Sequence, residues 1–206
     1  MLLDPAQCQL VLVDYQARLM PAIFESEFVT ANAVRLGEFA RLFRVPAFGT
    51  EQSPDKLGSN EPQLRALCQR TLSKQHFSAA ADGLVDWLRP APAPAPPPEG
   101  EGARRIPKQL KRKPAEVPER NCIVIAGCEA HICLLQTALE LLDEEFDVVV
   151  VTDACSSRTE RNRDAAFDRL AGAGADLVTT EMVGFEWLRS ADHRAFKDVQ
   201  ALIVQK

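Results

Sequence analysis

The sequence predicts an α/β fold in which a parallel sheet is covered by helices on both faces. Two observations predict it. Apolar, β-branched runs alternate with longer helical patterns along the chain, and 206 residues can bury one full core without disulfides or metal. The hydrophobic fraction of 46% and the charged fraction of 26% are ordinary for a globular protein.

Each element has its own signal. "QLVLVDY" (9–15) reads as a buried strand ending in an acid. "TANAVRLGEFARLFR" (30–44) sets Ala33, Leu36, Ala40 and Phe43 at helical spacing, with Thr30 as the N-cap. "VPAFGTE" (45–51) is a second strand, its proline near the start where a missing N–H donor is tolerated. "SPDKLGSNEPQLRAL" (53–67) is a loop leading into a short helix. "RTLSKQHFSA" (70–79) is a third, weaker strand, followed by a short helix around "AADGLVDWLR" (80–89). Then come "NCIVIAG" (121–127), a helix over 130–145, "DVVVVTDA" (147–154), a helix over 160–171, and "ADLVTT" (175–180). Helical segments near 181–190 and 194–204 close the chain.

The pattern breaks once, at "RPAPAPAPPPEGEGARRIPKQLKRKPAEVPER" (89–120). Proline at this density favours extended polyproline II and builds no core. Six basic residues and no acid follow between Arg104 and Lys113. Because the strand–helix pattern resumes directly afterwards, the chain reads as one domain, 1–206, with a Pro-rich, basic surface insertion at about 90–118. A solvated loop is the favoured reading of the basic half, and contact with RNA or an acidic partner the remote one.

A formal net charge of −5 gives no general electrostatic reason to bind nucleic acid or an anionic membrane. No apolar run approaches the roughly 18 residues that would cross a bilayer. The start "MLLDPAQCQLVLVDYQ" lacks the basic and apolar regions of a secretory signal, and it lacks the Arg-rich character of a transit peptide. Six cysteines without a CxxC pair or a disulfide-rich spacing indicate free thiols in a reducing compartment. A cytoplasmic location is therefore expected, with mitochondrial association left open.

In open parallel sheets, ligands bind beyond the C-terminal strand ends. Three candidates fall there: Asp14 after the first strand, Lys74 at the third and Cys133 just past the fourth. Singly, each has a plain structural reading. An acid ends many strands as a cap, a lone lysine usually faces solvent, and a cysteine beside Leu134, Leu135 and Ala138 is most often core. The position of Cys133 adds to its interest. In the first turn of a helix, free N–H groups and the helix dipole favour a thiolate and lower the thiol pKa. A nearby lysine strengthens that effect, a carboxylate can take the thiol proton, and the same N–H groups can hold an oxyanion.

These segments resemble the isochorismatase-like cysteine hydrolases. The match is carried by "LVLVDYQ", "LSKQHFSA" and "AGCEAHICLLQTALELL", with "VVVVTDACSSR" and "ADLVTTEMVGFEWL" beyond them. "TEQSPDKLGSNEPQL" is similar to the corresponding segment of the isochorismatase-domain-containing subgroup. The resemblance implies a three-layer α/β/α fold with six parallel strands in the order 3-2-1-4-5-6. It also implies an Asp14–Lys74–Cys133 triad acting on a small amide or related acyl substrate through a thioester. Backbone N–H groups of Glu129 and Cys133 would form the oxyanion hole, next to a Cys128–Glu129 bond where the family often has a cis peptide. Tyr15, Gln52, Phe77 and His131 are candidate pocket residues by position, a local hydrogen bond being the equal alternative for His131, and the acidic, bulkier Glu129 would narrow or polarise that pocket.

Metal-using relatives carry an Asp/His cluster after the second strand, whereas "GTEQSPDKLG" has no histidine. No metal and no cofactor are therefore expected. Cys128, His131 and Cys133 lack a fourth partner and make a poor zinc site. Cys8, Cys68, Cys122 and Cys155 are read as structural. The expected partners are a small-molecule substrate and further copies of the chain, with no membrane and no nucleic acid. A catalytically weak member serving as a binding or scaffold protein is the alternative, and a nucleic-acid-associated protein acting through the basic insertion the remote one.

Overall fold

The structure, a computed structural model, describes residues 2–89 and 120–204, so the predicted insertion at about 90–118 lies outside the described residues. One six-stranded sheet runs through the molecule. It comprises β1 (Cys8–Val13), β2 (Ala47–Gln52), β3 (Arg70–Lys74), β4 (Cys122–Gly127), β5 (Asp147–Val151) and β6 (Asp176–Val178). The order is β3-β2-β1-β4-β5-β6 and every pairing is parallel. This is the order the resemblance implied.

The continuous apolar runs follow from this position. Every residue of β1 is buried, as is every residue of β2. Each fully buried Val, Leu or Ile contributes roughly 1.5–3 kcal/mol of apolar burial. Leu10, Val11, Leu12 and Val13 therefore favour a central strand covered on both faces. β3 reads more weakly because it is an edge, with Arg70 and Ser73 exposed.

The helices are α1 (Ser26–Phe43), α2 (Pro54–Leu57), α3 (Pro62–Leu67), α4 (Leu84–Leu88), α5 (Leu135–Asp143), α6 (Glu160–Gly172), α7 (Thr180–Leu188) and α8 (Phe196–Val204). From β1 the chain crosses to β2 in one direction, and from β4 it crosses to β5 in the other. Right-handed crossovers of opposite direction place α1 and α5 on opposite faces. α1 packs with α3, α7 and α8, and α5 with α6. The reversal leaves a crevice between the C-terminal ends of β1 and β4, where open α/β sheets bind ligands.

Two boundaries differ from the sequence reading. The first helix begins at Ser26 rather than at Thr30, because buried Val29 extends the Ala33–Leu36–Ala40 stripe upstream by one turn. The helix predicted over 130–145 opens with a π-helical turn, Ala130–Leu134, before α5 starts. Among the described residues, no helix is long and apolar enough to cross a membrane.

Candidate active site

Strand register brings the predicted residues together. Val13 pairs with Thr50 on one side and with Gly127 on the other, while Gln52 pairs with Lys74. β1 and β4 therefore finish together, and β2 and β3 run two residues past them. Asp14 follows Val13 immediately, in a left-handed conformation at φ 53° that breaks β1. Its N–H donates to Thr50 O at 3.2 Å, and its Oδ1 accepts from Thr50 Oγ1 at 2.6 Å. Thr50 escaped the sequence reading, because only the register places it beside Asp14.

Lys74 reaches the same carboxylate from two strands away. Each strand step is about 4.8 Å, so a long, unbranched side chain has to span the end of β2. Lys74 Nζ lies 2.8 Å from Asp14 Oδ2, and both side chains are closed to solvent. The ammonium also donates to Gln52 Oε1 at 2.7 Å and to Phe77 O at 3.0 Å. Apart from this ammonium, Asp14 Oδ2 has no hydrogen-bond donor among the described residues.

Cys133 sits in the π-helical turn, 7% exposed. Its thiol is pushed up to about 12, first by burial and then by the Asp14 carboxylate, with the Lys74 ammonium pulling the other way. This corrects the expectation of a lowered thiol pKa, since burial outweighs the lysine. The resting group is a thiol. The same interactions place it within reach of both Asp14 and Lys74, so the three predicted residues converge.

The turn before Cys133 is tightly built. Gly127 is required because a Cβ there would stand 2.4 Å from Val13 O. The Cys128–Glu129 peptide is cis. Cys128 N–H donates to Val13 O at 3.0 Å, and Ala130 N–H donates to Ser156 O at 2.8 Å. The Glu129 carboxylate is almost buried and accepts from Arg158 Nε at 2.9 Å, which ties its charge down beside the turn.

The candidate pocket residues divide. Gln52 and Phe77 both hold Lys74, Gln52 by its side chain and Phe77 by its carbonyl, while the Phe77 ring is exposed. His131 Nδ1 lies 2.9 Å from Ser157 Oγ. Tyr15 departs from a pocket role: its ring is fully buried and its hydroxyl donates to Ala154 O at 2.5 Å, so it belongs to the core beneath the site. A surface groove of about 600 Å³ between Met20, Thr30, Val34 and Leu202 contains none of Asp14, Lys74 and Cys133. Among the described residues, no three His, Cys, Asp or Glu side chains cluster as metal ligands would.

Comparison with known proteins agrees with this fold. The isochorismatase domain profile matches residues 106–182. The chain is 31% identical to isochorismatase domain-containing protein 2 of Rattus norvegicus, over 97% of this chain and 82% of the rat protein. It is 33% identical to the Bos taurus protein of that name, over 97% of this chain and 84% of the bovine one. A solved structure described as MAR1 ribonuclease from Caenorhabditis elegans superposes with a TM-score of 0.82 at 28% identity, covering 100% of this chain and 94% of that one. The YcaC gene product of Escherichia coli, described as an octameric hydrolase of unknown specificity, shares the fold. It gives a TM-score of 0.75 at 24% identity, over 98% of this chain and 94% of that one.

Proposed function

Since the chain belongs to the isochorismatase family of hydrolases, we propose that it cleaves a small amide or related acyl compound through a thioester on Cys133. The observation that carries this reading is the solvent-closed Lys74–Asp14 ion pair, 2.8 Å long, acting on the Cys133 thiol.

The thiol proton passes to Asp14 Oδ2 as Cys133 Sγ bonds to the carbonyl carbon. The oxyanion forms against the N–H groups of Glu129 and Cys133, where preorganised donors lower the barrier. Asp14 then gives its proton to the leaving nitrogen as the C–N bond breaks. Water attacks the thioester, Asp14 takes its proton, and the sulfur leaves and is reprotonated. Lys74 keeps its charge throughout, held by Gln52 and Phe77, and stabilises whichever of its two neighbours is anionic. An almost closed sulfur suits a small acyl group better than a polymer.

A panel of small amides tests this directly. Turnover should release ammonia or amine, Cys133→Ala should abolish it, and mass spectrometry should find the acyl group on Cys133. Turnover that survives Cys133→Ala overturns the mechanism. Cleavage of RNA without amide turnover would instead favour the activity that the worm protein's description carries.

Assembly into a homo-oligomer belongs to the same reading. It is supported by the octameric description of the E. coli protein and by Met182 and Phe185, exposed at 45% and 43% on α7. Light scattering that returns the monomer mass would remove it.

A further inference from the structure

The N-terminal ends of β1 and β4, opposite the proposed active site, carry two thiols face to face. Cys8 opens β1 and Cys122 opens β4, and the parallel register pairs them directly. Their Sγ atoms are 3.5 Å apart and share a hydrogen bond. Neighbouring strands run about 4.8 Å apart, inside the roughly 4.4–6.8 Å Cα span of disulfides. Closing the sulfurs to a bond of about 2.05 Å therefore needs side-chain rotation and little backbone movement.

The surroundings separate the two sulfurs. Cys8 is fully buried, while Cys122 is partly exposed. Trp187 is 2% exposed, and its Nε1–H has no acceptor of hydrogen-bond geometry among the described residues. The Arg120 guanidinium lies close by, donating to Cys8 O and Pro5 O, each at 2.7 Å. The hydrogen bond with Cys122, and after it Trp187 and Arg120, hold the Cys8 thiol below its ordinary value against the opposing effects of burial and of the Asp4 carboxylate. That same shared bond pushes Cys122 up. Cys122 is thus the sulfur a small oxidant can reach, and Cys8, buried behind it at 3.5 Å, is the one placed to attack it afterwards.

We infer that Cys8 and Cys122 form an oxidisable dithiol that a small hydroperoxide converts to an intramolecular disulfide. Cys122 gives up its proton as its sulfur attacks one peroxide oxygen, the O–O bond breaks, and the departing hydroxide takes that proton and leaves as water, so that Cys122 becomes a sulfenic acid. Cys8 then attacks the Cys122 sulfur. The S–S bond forms, the S–O bond breaks, and hydroxide departs with the Cys8 proton as a second water. Two thiols lose two electrons and two protons, and hydrogen peroxide is reduced to two waters. The bond ties the start of β1 to the start of β4, closing a long stretch of sequence into one loop and restricting the unfolded chain.

The test uses the full chain carrying Cys133→Ala, so its outcome is independent of the proposed hydrolase mechanism. Cys133→Ser provides a second background. After stoichiometric hydrogen peroxide and thiol blocking, non-reducing peptide mapping should find the Cys8 and Cys122 peptides linked, two hydrogens lighter than their sum. Dithiothreitol should separate them. The thermal unfolding midpoint should rise on oxidation and return on reduction, and a further Cys122→Ser change should remove both the link and the rise. Three results would overturn the inference: both cysteines still free to alkylate after peroxide, Cys122 over-oxidised without a link, or either cysteine linked elsewhere.

Discussion

Lys74 Nζ and Asp14 Oδ2 face each other at 2.8 Å across the end of β2, with neither side chain reached by solvent. A buried pair of this kind is costly to break from one side, because the remaining charge keeps its desolvation penalty and loses its partner. Lys74→Met should destabilise the protein by about 3–5 kcal/mol. The double change Lys74→Met with Asp14→Asn should recover much of that loss. Urea unfolding of the three proteins measures both effects, and a Lys74→Met protein as stable as the parent would contradict the pairing.

Asp14→Asn separates thiol reactivity from turnover. The carboxylate raises the Cys133 thiol by its charge and by a hydrogen bond that favours the protonated form, so removing the charge brings the thiol down. Alkylation of Cys133 by iodoacetamide near neutral pH should therefore become faster. Hydrolysis should fall by about 10²–10⁴-fold, the usual worth of a positioned acid–base group. Slower alkylation together with intact hydrolysis would remove Asp14 from the proton path.

The pH profile of that alkylation has a definite sign. A thiol held at about 12 is protonated at neutral pH, and its thiolate fraction grows about tenfold per pH unit below that value. The Cys133 alkylation rate, read by peptide mapping, should climb through pH 9 and 10 without levelling. A plateau near pH 8.5, where an unperturbed thiol titrates, would show that burial does not govern this sulfur.

Gly127→Ala tests the seam between β1 and β4. The added Cβ would stand 2.4 Å from Val13 O and 2.5 Å from Val13 Cβ, so backbone has to move. Such overpacking costs about 1–3 kcal/mol. Because Asp14 and Cys128 follow these two residues directly, hydrolysis should drop along with the unfolding midpoint. An unchanged midpoint would mean that the strands separate freely.

Thr50→Val keeps the shape and removes the hydroxyl 2.6 Å from Asp14 Oδ1. A hydrogen bond to a charged group contributes about 1.5–3 kcal/mol. Stability and turnover should both fall, less than for Lys74→Met, and a serine at this position should restore part of each.

Much of this was legible without coordinates. Continuous apolar runs such as Leu10–Val13 announce strands buried on both faces, because only a covered parallel sheet can use them. The edge strand was harder to bound: "RTLSKQHFSA" leaves the sheet at Lys74, where the chain turns back so that Phe77 O can accept from the lysine itself. Thr30 has the chemistry of a cap, yet the packing of Val29 carries the helix past it. Tyr15 follows Asp14 in sequence and still points into the core, because the left-handed turn at Asp14 redirects the chain.

The sequence by itself determined the alternation of strands and helices, and it put Asp14, Lys74 and Cys133 forward as candidates at or beyond the C-terminal strand ends. Tertiary structure alone decided that Thr50 and Gln52 support the pair, that Cys8 faces Cys122, and that Cys133 rests as a thiol. The reason is physical. Local pattern sets what each segment prefers, whereas register and burial depend on which strands lie side by side and how much water remains between them.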